Sequence, residues 1–377
     1  MNRRKVLSGV ALVLTALLSG LGAHAQPSPR ELRLLDRVPL PTLHSAATDI
    51  RWAGDDSVYV SWDRDGVFEM GLNGVKRRTM VPDVKTLGKI NYYESLAISP
   101  TTLAVASVSW GIVWRPLKAN PDGKITVRSQ RVPIVNSLDF SGDRLLMLGL
   151  AEFEGDEKGN PPEFAPHGDV AWVGTLSDRL ANLKPVLYDV GGAGAPNYFN
   201  CRFNPMDAAR FLAGGSFIIA PGFQDGIHLY DASGRVVRTW TNEEVGIDSH
   251  SDCHRMSYQE TERFATEAGW GPWLNRHHVL DAILPLPQGP GLLVRSWGPD
   301  GRAHWTLKVL QAGGIRTYAV PIVGRRPSDR LRGDVRDGKI VLLLASGFNW
   351  SADPANFPAE MLLMEIPNET SADEPAS

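Results

Sequence analysis

The sequence predicts an all-β chain assembled from repeated four-stranded antiparallel modules, and three observations carry that expectation. Short runs of alternating apolar residues recur along the chain, separated by tight turns rich in Gly, Asp and Asn. Two stretches match at a constant offset: Asp65-Gly66-Val67-Phe68-Glu69-Met70, leading to Gly74 and Arg78-Thr79, and Asp225-Gly226-Ile227-His228-Leu229-Tyr230, leading to Gly234 and Arg238-Thr239. Only Ser257 to Ala268 has a strong helical composition, ahead of Gly269 as a C-cap.

Taken in order, the first element is an address. Arg3, Arg4 and Lys5 form a positive n-region, Val6 to Leu21 an apolar stretch, and Ala23-His24-Ala25 a small-x-small cleavage pattern before Gln26. Residues 1–25 therefore read as a signal peptide and the destination as the periplasm or the exterior. An ordinary secretory signal is preferred over a twin-arginine one, which the Arg3-Arg4 pair loosely resembles. No second apolar run is long enough to span a bilayer. Leu32 to Val38 then reads as a strand with no hairpin partner beside it.

Hairpins follow in series. Asp49 to Trp52 turns at Gly54-Asp55 into Val58 to Val60. Ser95 to Ile98 turns at Ser99-Pro100 into Leu103 to Val105, and Ser137 to Phe140 turns at Ser141-Gly142-Asp143 into Leu145 to Leu148. Continuing this way gives six units of about four strands, beginning near Thr48, Glu94, Asn136, Asn200, His278 and Leu331. A single four-stranded unit cannot bury both its faces, so units in series imply a ring. The expectation is a six-bladed β-propeller of four-stranded antiparallel blades over residues 26–367, with an insertion at 241–276 between blades 4 and 5 and a disordered tail at 368–377. At about 59 residues per unit the period exceeds the usual one, so insertions are required. The last unit, ending at Met361 to Ile366, is one strand short, and the Leu32–Val38 strand is expected to complete it and remove an open edge.

The segment Gly226-Ile227-His228-Leu229-Tyr230-Asp231-Ala232-Ser233-Gly234-Arg235-Val236-Val237 resembles the six-bladed β-propeller superfamily, loosely its NHL-repeat type. The Gly-His and Trp-Asp pairs of WD40 blades do not recur. Six-bladed lactonases of the gluconolactonase type hold a divalent cation at the channel through Glu, Asn and Asp side chains. The resemblance thus offers Glu94, Asn136 and Asn200, with His278, as candidate ligands for Ca²⁺ or Zn²⁺. The competing reading is that these are channel polar groups satisfied by water.

In an up-down blade of strands a to d, the b-to-c and d-to-a links share one face. Glu152–His167, Gly347–Phe357 and Thr241–Arg276 should therefore crown the same face, and loops on a rigid scaffold are where binding concentrates. Trp62, Trp110 and Trp297 each close a b strand there and are candidate ligand contacts, blade packing being the alternative. His250 and His254 in the insertion are candidate ligand or metal contacts, or loop polars that anchor it. Cys201 and Cys253, the only two cysteines, admit one disulfide in an oxidising compartment.

Composition excludes other classes. Of 377 residues, 43% are hydrophobic and 21% charged, so the chain can bury a core. The net charge is −3, which gives no footprint for nucleic acid. There is no Gly-x-Ser-x-Gly elbow, and Gly192-Ala193-Gly194 precedes no helix pattern. The expected function is an exported propeller that binds a small molecule, glycan or protein on its loop-rich face. The alternative is a metal-dependent lactonase- or esterase-like hydrolase working at the central channel.

Overall fold

The computed structural model describes residues 30–87, 92–108, 111–117, 126–128, 134–150, 169–175, 184–188, 208–222, 225–248, 259–260, 263, 267–326, 329–346 and 358–367. The signal segment, the tail at 368–377, Asn200, Cys201, Cys253, His250, His254 and Trp110 lie outside them.

Two strands open the described chain, β1 (Arg30–Glu31) and β2 (Arg33–Pro39). The first blade holds β3 (Ala47–Trp52), β4 (Ser57–Trp62), β5 (Gly66–Gly71) and β6 (Lys76–Val81), followed by the short helix α1 (Val84–Leu87). The second holds β7 (Tyr92–Ile98), β8 (Thr102–Val108), β9 (Gly111–Pro116) and β10 (Thr126–Arg128). The third holds β11 (Ile134–Ser141), β12 (Arg144–Leu150), β13 (Asp169–Thr175) and β14 (Lys184–Tyr188). The fourth holds β15 (Ala208–Phe211), β16 (Phe217–Ala220), β17 (Ile227–Tyr230) and β18 (Val236–Trp240), followed by helices α2 (Asn242–Val245) and α3 (Glu267–Leu274). The fifth holds β19 (Val279–Leu286), β20 (Gly289–Trp297), β21 (Ala303–Gln311) and β22 (Gly314–Gly324). The sixth holds β23 (Asp329–Arg336), β24 (Lys339–Ser346) and β25 (Ala359–Glu365), with β2 as its outer strand.

The six sheets close into a ring. Innermost strands touch in cyclic order: β3 with β7, β7 with β11, β11 with β15, β15 with β19, β19 with β23, and β23 with β3. β2 runs antiparallel along β25, pairing Arg33 with Glu365 through Pro39 with Glu360, so the start of the chain completes its last blade as expected. Arg37 donates from Nε and Nη2 to Glu360 across this seam, at 2.9 and 2.6 Å. β1 was not foreseen; it adds two residues in parallel to the outer edge of β22.

The repeat matched in sequence is a repeat of backbone. Gly66 and Gly226 take φ values of 110° and 112°, and Gly74 and Gly234 take 77° and 86°. A Cβ on Gly66 would lie 2.2 Å from the Val81 carbonyl oxygen, so only glycine lets the third strand start so close to the fourth. At the opposite end, Asp337 and Gly338 both have positive φ, 50° and 76°, which fits the expected two-residue hairpin turn.

Each pair of neighbouring blades shares one apolar cluster, because a twisted four-stranded sheet has two faces to cover. Tyr59, Val67, Leu96 and Val105 join the first blade to the second. Trp114, Leu138 and Trp172 join the second to the third, and Leu146, Phe211 and Phe217 the third to the fourth. Ile218, Ile283 and Leu292 follow, then Trp305, Leu331 and Leu342, and Val60, Leu343 and Met361 bring the ring back to its start.

Two details qualify the expectation. Among the described residues the fourth blade begins at Ala208, while Asn200, its expected start, lies outside them; its inner hairpin turns through Gly214 and Gly215, at φ 74° and 78°. Gly269 does not cap the helix, which runs through Gly269, Gly271 and Pro272 to Leu274. Packing outweighs poor helix propensity there: Leu274 is buried against Val279, with Trp273 beside them. Arg276 Nε and His277 Nδ1 donate to the Pro272 and Trp273 carbonyls, capping the last turn with side chains.

Candidate functional site

The inner edge of each first strand faces the ring axis and has no further strand to pair with. Its backbone N–H groups need acceptors, and side chains of the preceding blade supply them. Asp49 Oδ2 accepts from Leu96 N at 2.8 Å. Ser95 Oγ accepts from Leu138 N at 3.1 Å. Ser137 Oγ and Asp139 Oδ2 accept from Ala209 N and Phe211 N at 3.2 and 2.7 Å. Asp281 Oδ2 accepts from Leu331 N at 3.0 Å, and Asp334 Oδ2 accepts from Trp52 N at 3.0 Å. Five of the six blade boundaries are stitched in the same sense around the ring.

Those carboxylates bring arginines with them. Arg51 Nη1 lies 2.5 Å from Asp49 Oδ1. Arg210 reaches over the axis, with Nη2 2.5 Å from Asp334 Oδ1 and Nε 3.5 Å from Asp139 Oδ2. Arg332 Nη1 donates to the Asp281 carbonyl oxygen at 2.5 Å. The axial cavity between these groups has a volume of about 20 Å³, lined by Asp49, Arg51, Glu94, Asn136, Arg210 and Arg332 among others.

Burial sets the electrostatics. It lowers the Arg51 pKa, and the neighbouring Arg210 guanidinium lowers it further. For Arg210 itself, burial is outweighed by the Asp139 and Asp334 carboxylates, which hold it above its ordinary value. Burial also pushes Asp139 and Glu94 upward, against Arg210 in the first case and against Arg330 and Arg332 in the second. Arg330 is lowered to about 10, by burial first and then by Arg332.

Of the four residues expected as metal ligands, Glu94 and Asn136 do line this cavity. His278 does not; it is exposed, and its backbone serves as the neck of the insertion. His278 N donates to Asp248 Oδ2 at 2.7 Å, and Asp248 N donates to the His278 carbonyl at 2.6 Å. Among the described residues no group of three or more His, Cys, Asp or Glu could hold a metal ion. The sequence reading missed Arg51 and Arg210, whereas alignment of the hairpins puts Arg332 at the start of an a strand facing the channel. The signal of all three was present as charges inside otherwise apolar first strands: Asp49-x-Arg51, Arg210, and Arg330-x-Arg332-x-Asp334.

The second feature is the rim. The alternation of strand directions places every b-to-c and d-to-a link at one end of the ring and every a-to-b and c-to-d link at the other. At the first end lie the links 82–91, 151–168, 189–207, 241–278 and 347–358. At the other end the links run from two residues, as at Asp337–Gly338, to the nine of 117–125. Part of the longest link is described. Thr241 caps α2 in a reciprocal box with Glu244, and Gly246 ends it in the left-handed region at φ 59°. Trp273 stacks on His277 with ring centroids 4.0 Å apart. On the same rim Asp63 is pushed up to about 7, by burial first.

The candidate tryptophans divide. Trp62 is 1% exposed and sits in the cluster between the sixth and first blades, 5.4 Å from the Phe68 ring. It is a packing residue with no surface to offer a ligand. Trp297 is half-buried at the end of β20, against the cluster between the fifth and sixth blades.

Ring and rim define a six-bladed β-propeller. No family model matches the sequence, and no curated protein matches it. Among solved structures, that of the RRP9 WD40 repeats is similar with a TM-score of 0.51 at 12% identity, covering 89% of this chain and 100% of that one. Looser likenesses, also at 12% identity, are to the WD40 β-propeller domain of Doa1 (TM-score 0.40, covering 90% and 98%) and to a chain of a mitotic checkpoint complex (0.43, covering 85% and 77%). Such likeness concerns the fold alone. No helix among the described residues is long and apolar enough to cross a membrane.

Proposed function

We propose that this propeller is an exported binding protein whose rim, at the end carrying the long links, recognises a protein or smaller ligand. One observation supports it most: the five longest links all leave from the same end of the ring, above a hub fastened by side-chain bonds. A rigid disc with its long links on one side suits recognition. The alternative hydrolase needs a cation and a substrate at the axis. A cavity of about 20 Å³ in which three guanidinium groups, Arg51, Arg210 and Arg332, outnumber the carboxyls of Asp49 and Glu94 favours neither, because the excess positive charge opposes a cation and the space is near that of one water.

The test is site-specific photo-crosslinking in cells. A photoreactive residue is placed at exposed rim positions, Arg64 and Asp300, and at opposite-end positions, Asp143 and Asp337. Discrete adducts from the rim positions alone are the expected result. Adducts confined to the opposite end, or none from either, would overturn the assignment.

A further inference from the structure

The axial cavity carries a second conclusion, independent of the rim. Its wall carries buried guanidinium donors, and the acceptors on Asp49, Ser95 and Ser137 are already engaged. Both Asp49 oxygens are engaged, Oδ1 with Arg51 Nη1 and Ile50 N, and Oδ2 with Leu96 N. Ser95 Oγ already accepts from Leu138 N, and Ser137 Oγ both accepts from Ala209 N and donates to the Ala209 carbonyl. On the donor side stands Arg210, 5% exposed, whose Nη1 and Nε have no hydrogen-bond partner in the protein. The Nε of Arg51, 6% exposed, is in the same state. Buried donors left in this way are costly, by the full desolvation of each group.

From this geometry we infer that the axial cavity is a site for a single monoatomic anion of halide size. The chemistry of the wall selects the class. A water molecule must donate two protons as well as accept, and the acceptors on Asp49, Ser95 and Ser137 are already engaged; a halide only accepts. Size agrees with a small ion, since the cavity volume is about 20 Å³. Glu94 also lines the cavity; burial raises its pKa, against Arg330 and Arg332, which weakens its opposition to an anion. An anion here also relieves the approach of Arg51 and Arg210, which oppose each other electrostatically.

The experiment is diffraction from crystals of the whole protein grown or soaked in sodium bromide, with data collected at the bromine edge. An anomalous peak on the ring axis within hydrogen-bonding reach of Arg210 Nη1 is expected. Bromide peaks at the surface only, with none at the axis, would overturn the site. As a solution measurement, the melting temperature is compared in chloride and gluconate at equal ionic strength. The expected rise in chloride follows ligand linkage and should vanish in Ala208→Val, which narrows the cavity without removing a charge. Equal melting temperatures of the wild-type protein in the two salts would also overturn it.

Discussion

Asp281 is where the hub is most exposed to a single substitution. It is 5% exposed, and its Oδ2 accepts two N–H groups at once. One is the Trp305 indole Nε1 at 2.6 Å, two strands away in the same blade; the other is Leu331 N at 3.0 Å, in the next blade. Its charge also raises the pKa of Arg295, which burial lowers. Asp281→Ala strands both donors in a dry interior, at about 1–3 kcal/mol each. It also removes a charge that partly offsets the burial of Arg295. Together these predict a loss of about 4 kcal/mol. Asp281→Asn keeps an oxygen able to accept both bonds and gives up only the charge, so about 1–2 kcal/mol is expected from it. Urea denaturation followed by fluorescence measures both values. Exchange of the Trp305 indole proton supplies a local readout, fast in the alanine variant and slow in the asparagine one. An alanine variant within about 1 kcal/mol of wild type would refute the claim that these side-chain acceptors hold the hub.

Three other outcomes are expected. Deleting residues 26–40 removes β2 with Leu32 and Leu40, which are 2% and 6% exposed; at about 1.5–3 kcal/mol for each buried leucine, before the lost ladder is counted, the truncated chain should not fold cooperatively. An unchanged melting transition would reject closure by this strand. Asp63 has its pKa raised from 3.8 to about 7, so the native state binds the extra proton between those values and stability falls as pH rises through that window. Asp63→Asn should therefore flatten the decline in urea stability between pH 5 and pH 8 by about 1–2 kcal/mol, a figure discounted because the side chain is 29% exposed; identical pH slopes in the two proteins count against it. Calorimetric titration with Ca²⁺ or Zn²⁺ should show no stoichiometric binding that depends on Glu94 and Asn136. Tight binding abolished by Glu94→Gln would restore the cation reading of the axis.

The architecture was legible in the sequence because propeller hairpins are local. Asp337-Gly338 and Ser141-Gly142 announce their own turns, and the Asp65-Gly66 and Asp225-Gly226 repeats report the same backbone twice. Five of the six blade starts fell within two residues of the observed strands for the same reason. The first described strand of the fourth blade starts later, at Ala208, and Ala208–Phe211 carries no polar first residue to mark it. The hub was harder to read. Asp139, Arg210 and Asp334 lie 71 and 124 residues apart, and no local pattern says that they meet. Trp62 shows the converse limit: a tryptophan at a strand end reads the same whether it faces solvent or the next blade, and only the packing of the sixth blade against the first decides.

Ring closure through β2 has a consequence for the order in which the protein is made. Arg37 and Glu360 are 323 positions apart in the chain yet hydrogen-bond across the final seam. The strand synthesised first must wait, unpaired, until the one synthesised nearly last arrives, and loop closure over that span is slow. Until then the nascent chain carries β2 as an unpaired strand edge, a target for neighbouring chains. The export proposed above, as an extended thread, would prolong that wait, and a chaperone able to shield the leading strand would then raise yield without altering the finished disc.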